Sequence, residues 1–149
     1  MHERSTLQNA ARLVGIVFLL VGVLGFIPGI TTNYGDMKFA GNTSDAELLG
    51  LFQVSILHNI VHLLFGVAGL ALARTYEGAR NYLIGGGVIY LALFLYGAIF
   101  GADEGGANWI PVNWADNVLH LVLGGGMIVL GVVLAKDVVR RDRTTAPAV

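Results

Sequence analysis

The sequence predicts an all-α integral membrane protein, a four-transmembrane-helix up-and-down bundle made of two parallel two-helix repeats. Three observations point there. The chain of 149 residues is 55% hydrophobic and only 13% charged, too apolar for an ordinary soluble domain of that size. Four apolar runs, about 13–30, 54–73, 82–100 and 114–135, each approach the ~20 residues a helix needs to cross ~30 Å of hydrocarbon. The basic residues also alternate in place. Arg4 and Arg12 precede the first run, Arg74 and Arg80 lie between the second and third, and Lys136, Arg140, Arg141 and Arg143 follow the fourth, with Lys38 alone on the other side. The positive-inside rule then puts both termini and the middle turn in the cytoplasm. Residues 1–149 read as a single membrane domain.

The first run is long and is followed by GFIPGITT rather than a small-x-small cleavage site, so it reads as a retained span. It has no polar side chain and serves as scaffold. After it, NTSDAELLG offers Ser44 as an N-cap with Glu47 three residues on, a capping box. That signal starts the second helix near Asp45 and carries it to about Arg74, roughly 45 Å at helical rise. In the third run Tyr90, Phe94 and Gly97 form one stripe. The second outer loop, GADEGGANWIPVNWADN, has three glycines and a proline and reads as irregular structure. Its Trp109 and Trp114 suit the outer interface. Asp36, Asp45, Glu47, Asp103 and Glu104 make the outer side acidic. The cytoplasmic tail, 136–149, is polar and frays at TTAPAV.

Laying LHNIVHLLFGVAGLAL (57–72) over ADNVLHLVLGGGMIVL (115–130) matches Asn59 with Asn117, His62 with His120 and Gly66 with Gly124. His58 then meets Asp116. An Ala-Arg pair leads each unit, at 11–12 and again at 79–80. A duplicated two-helix unit follows, its copies related by an axis along the membrane normal.

Polar residues at these depths are the candidate site. His58 and His62, four apart, share a helix face, as do Asp116 and His120. Three imidazoles and a carboxylate supply four ligands for a tetrahedral divalent metal, zinc first, with copper or iron as alternatives. Asn59, Asn117 and Tyr90 are candidates to support the ligands from behind. A closed site is structural; an open position would hold a water for hydrolysis. A second reading makes His62 and His120 the axial ligands of haem b in electron transfer. A third makes the polar cluster interhelical hydrogen-bond glue in a scaffold or partner subunit, and a fourth a conduit for protons or metal ions.

Other chemistry is excluded by composition. With no cysteine there are no disulfides and no thiolate sites. The GGG runs at 85–87 and 124–126 lie within spans and are not phosphate loops, so neither nucleotide nor nucleic acid is expected as a partner. The lipid bilayer is; a homo-oligomer or a larger membrane complex is left open.

The HNIVHLLFG segment entering the second span and NWADNVLHLVLGG entering the fourth resemble the bacterial membrane family known as domain of unknown function 4383. The resemblance covers roughly residues 7–136 and rests chiefly on His58, Asn59, His62, Asp116, Asn117 and His120. It implies a multi-pass protein of the bacterial plasma membrane and brings no activity with it.

Overall fold

Residues 4–100 and 110–145 are described in the computed structural model, without the side chains of 136–145. The second outer loop from 101 to 109, with Asp103, Glu104 and Trp109, lies outside the described residues, as do the tail's last four residues. Four helices carry the fold: α1 (Thr6–Leu24), α2 (Ile56–Leu72), α3 (Tyr76–Phe100) and α4 (Trp114–Thr145). Three of them, α1, α3 and the Trp114–Ala135 part of α4, are long and apolar enough to cross a membrane. The apolar α2 has 17 residues, about 26 Å at helical rise.

Each boundary has a local cause. Ser5 caps α1: its hydroxyl accepts from the Gln8 N–H at 3.3 Å and the Gln8 side chain accepts from the Ser5 N–H at 3.0 Å, a capping box. The helix therefore starts at Thr6, ahead of the apolar run, and ends at Leu24. Residues 25–30 turn back instead of continuing the span. Gln8 also spends its amide N–H groups on the Ala73 and Arg74 carbonyls, at 3.2 and 3.0 Å. That closes the C-terminal end of α2 against the start of α1. At the other end of the chain α4 continues as helix through the charged residues to Thr145, beyond the expected end of the span.

The second helix does not begin near Asp45. Ser44 is buried and its hydroxyl donates to the Val54 carbonyl at 2.6 Å, while Glu47 belongs to a strand. Strands β1 (Thr31–Thr32), β2 (Glu47–Leu48) and β3 (Phe52–Gln53) form a small antiparallel sheet in that order. Gly50, at φ 65°, makes the turn between β2 and β3 and breaks any helix running through it. The working cap is Ser55, whose hydroxyl accepts from the His58 N–H at 3.2 Å.

Successive helices run antiparallel. α1 meets α2 from Gly15 beside Gly66 to Gly25 beside Asn59, and α3 meets α4 from Gly87 beside Gly124 to Gly97 beside Asn117. The approach is close enough to exclude side chains. A Cβ on Gly15 would stand 3.0 Å from the Gly66 carbonyl oxygen, and one on Gly87 would stand 2.7 Å from that of Gly124. A Cβ on Gly66 would meet the Leu19 backbone nitrogen at 2.7 Å, and one on Gly124 that of Leu91 at 2.9 Å. These contacts repeat with Gly15, Leu19 and Gly25 standing where Gly87, Leu91 and Gly97 stand, a spacing of 72 residues. The Ala-Arg pairs had implied 68. The four-residue difference is about one helical turn, so both registers present the same face, and only backbone contact distinguishes them.

The packing is apolar outward and partly polar inward. Leu13, Leu20, Leu64, Val67, Val88 and Val122 are more than half exposed, whereas Asn59, His62, Asp116, Asn117 and His120 are buried. The side-chain amide oxygen of Asn59 lies on Gly25 and that of Asn117 on Gly97, each where a methyl group would have to be. Gly25→Ala and Gly97→Ala should therefore each destabilise the bundle by about 1–3 kcal/mol through overpacking. Gly125 and Gly126, with nothing near their missing Cβ, are the controls: alanine there should be neutral or stabilising by roughly 0.5–1 kcal/mol. Thermal unfolding in detergent checks both, and equal effects at the two kinds of site would refute the packing argument.

Candidate functional site

Ser55 sets the start of α2, and with it the direction of two imidazoles. His58 lies in the first turn and His62 one turn deeper, their rings stacked with centroids 4.3 Å apart and planes 13° from parallel. His62 Nδ1 is 3.0 Å from the His58 carbonyl oxygen. A carbonyl only accepts, so Nδ1 carries the proton and Nε2 of the neutral ring is left with a bare lone pair. Nε2 faces the Tyr90 hydroxyl, which donates to it at 3.4 Å, a long bond.

Tyr90 joins the two repeats. Its ring packs edge-on against His62 at 6.4 Å and 87° and against His120 at 5.2 Å and 75°. Phe18, at the matching position of α1, lies 5.5 Å from His62 and 5.2 Å from Tyr90. His120 is buried, and its Nδ1 has no hydrogen-bond partner among the described residues. A porphyrin held between His62 and His120 would have to displace the Tyr90 ring.

His58, His62 and His120 line one cavity of about 260 Å³ between α2, α3 and α4. Its other walls are mostly apolar, among them Leu57, Val61, Ile89 and Leu93. Val61 and Ile89 are nearly half exposed, so the cavity opens sideways on the outer surface of the bundle. Asn59 and Asn117 are not among its lining residues; their amides are turned to the glycines of the neighbouring helices.

Asp116 has a different occupation. Its Oδ2 accepts from the Asn113 N–H at 3.1 Å and from the Gln53 N–H at 3.0 Å, while the Asn113 side chain accepts from the Asp116 N–H at 3.0 Å. Asn113 and Asp116 thus form a reciprocal cap at the start of α4, and the Gln53 bond ties that cap to β3. Asn113 adds a bond from its amide to the Leu51 carbonyl at 2.8 Å. The expected four-ligand set therefore separates into three imidazoles around a cavity and a carboxylate engaged with backbone. Among the described residues, no group of three or more His, Asp or Glu side chains is arranged to hold a metal ion. The capping role had a sequence signal, the N-x-x-D of NWAD before an apolar run.

Asp116→Ala should accordingly lower stability by about 1–3 kcal/mol, the cost of leaving the Asn113 and Gln53 N–H groups without their acceptor. Asp116→Asn keeps an oxygen acceptor and should retain most of it. Detergent unfolding of both variants is the measurement, and an Asn variant as unstable as the Ala variant would contradict the capping role.

Residues 8–133 match the family described as Domain of unknown function (DUF4383). No curated protein and no solved structure matches the chain. The family match takes in both two-helix units, all three imidazoles and the α4 cap, and the chain is a member of the DUF4383 family.

Proposed function

We propose that this is a multi-pass protein of the bacterial plasma membrane that binds a lipid-phase molecule in the three-histidine cavity. All four helices cross the bilayer in this reading, with the ends bearing Arg4, Arg12, Arg74 and Arg80 in the cytoplasm. The observation that carries it is the cavity itself: three imidazoles set among apolar walls, opening sideways where a bilayer would lie. Its 260 Å³ falls just below the range of ~300–1,000 Å³ typical of small-molecule pockets, enough for a single ring system. The ligand class is a lipophilic molecule with a carbonyl or hydroxyl head group. The three imidazoles are polar side chains that such a head group would face among these apolar walls.

A lipophilic quinone is a suitable probe. It should raise the melting temperature of the purified protein, by an amount equivalent to about 2.7 kcal/mol at a hundredfold excess over Kd. His120→Leu and the cavity-filling Val61→Trp should abolish that shift. Unchanged stabilisation in both variants would reject the cavity as the site.

A second reading has one observation in its favour. A ligating imidazole almost always gives its other ring N–H to a carbonyl or carboxylate, as His62 does to the His58 carbonyl. In this reading His58, His62 and His120 hold a divalent ion, zinc before copper or iron, after a rearrangement that brings the rings together. Asp116 then acts as a positioning residue through the α4 cap. Elemental analysis of protein purified without added metal or chelator decides it, and bound metal should fall with His62→Ala and His120→Ala together with stability. An absorption spectrum of the same sample tests haem b, which requires an intense Soret band. Metal-free, colourless protein whose stability ignores chelator excludes both.

A further inference from the structure

At the opposite end of α1 and α2 a second cavity, of about 240 Å³, is lined by Arg4, Arg12, Ile16, Leu70, Ala73 and Arg74. We propose that it binds the phosphate of an anionic phospholipid, whose acyl chains lie along the outer face of α1 and α2. The inference rests on the bilayer-spanning reading and is independent of what the histidine cavity holds.

Charge comes first. Three arginines line one cavity, all of them exposed, and among the described residues no acidic side chain lines it. Among the described residues none of the three makes an ion pair. The exposed guanidiniums are therefore available to an anion from outside. Their planar forks match the oxygens of a phosphate in pairs, and this is why arginine recurs at phosphate sites.

The apolar half of the wall selects a lipid over a free anion. Ile16 lies one turn along from Arg12 on the same face of α1, and Leu70 faces the cavity from α2. Beyond them Leu13, Leu20 and Val67, each more than half exposed, extend an apolar surface away from the arginines. A soluble phosphate gains nothing from that surface, whereas a phospholipid places its head on the arginines and its chains beside the leucines and valine. Basic pockets between helices on the cytoplasmic side are built for such head groups.

The test is thermal stability of the full chain in mixed micelles containing phosphatidylglycerol, phosphatidylcholine, or inorganic phosphate without lipid. Phosphatidylglycerol should stabilise the wild type, with a saturable dependence on its mole fraction, while phosphatidylcholine and inorganic phosphate should not. Arg12→Gln and Arg74→Gln should each weaken the apparent affinity more than about tenfold, the loss of charge-assisted hydrogen bonds to the phosphate rather than of diffuse surface charge. Arg12→Lys keeps charge but loses the paired geometry and should fall between. Arg80→Gln, outside the cavity, should behave as wild type. Stabilisation by inorganic phosphate, or equal losses in Arg80→Gln and Arg12→Gln, would overturn the proposal. Flotation with vesicles separates this from failure of the membrane reading: a protein that does not float with any vesicle is not a bilayer protein, while one that floats but shows no preference for phosphatidylglycerol lacks this site.

Discussion

Backbone contact within each helix pair is the constraint on which the rest depends. Where Gly15 meets Gly66 and Gly87 meets Gly124, no side chain separates the helices, and small residues are what let helix backbones approach this closely. Such a seam fixes both the rotation and the height of each helix. His62 is one turn from Gly66 and His120 one turn from Gly124, so seating the glycines also turns both imidazoles inward. Asn59 and Asn117 then fall on Gly25 and Gly97, completing each pair at its outer end. The candidate site is thus a by-product of the geometry that joins the helices.

Matching glycine contacts in the two helix pairs make the frame, and departures from that match account for the cavity. Phe18 and Tyr90 occupy matching places and meet at 5.2 Å, but only Tyr90 brings a hydroxyl to an imidazole. His58 and Asp116 also correspond, yet one stacks on His62 and the other caps α4. The sheet, present only in the first unit among the described residues, uses the Gln53 N–H and the Leu51 carbonyl to hold the Asn113–Asp116 cap. Its contribution is to lock the two units together at one end. At the other end Tyr76 does the same within the second pair, donating to the Ala135 carbonyl at 2.8 Å.

The polar groups fall into two energetic kinds. Asp116 is buried at 2% exposure but accepts two backbone N–H bonds at the start of α4, so its burial comes with hydrogen-bond partners. Its burial is a solved structural problem. His120 differs: one ring nitrogen is buried without a partner, and no backbone donor or acceptor relieves it. The side-chain oxygens of Asn59 and Asn117 share that state among the described residues, and each such group costs stability.

By itself the sequence determined the class of fold. Apolar runs, helical spacing and the N-x-x-H-L-x-x-G frame are local properties of the chain, so four helices, the matched second helices, the DUF4383 family and the shared face of His58 and His62 could be read directly. It did not determine which of several capping signals would operate. Ser44–Glu47 and Asn113–Asp116 look alike as text, but the Ser44 hydroxyl bonds the Val54 carbonyl while Glu47 pairs in β2, and Asn113 and Asp116 cap α4 reciprocally. Nor could spacing separate a register of 68 from one of 72, because a helix shifted by one turn presents the same side chains to its neighbour. Tertiary structure decided both, through steric contacts at glycines and backbone hydrogen bonds between segments distant in sequence. For the same reason it divided the four expected ligands, drawing Asp116 to the backbone and leaving three imidazoles around the cavity.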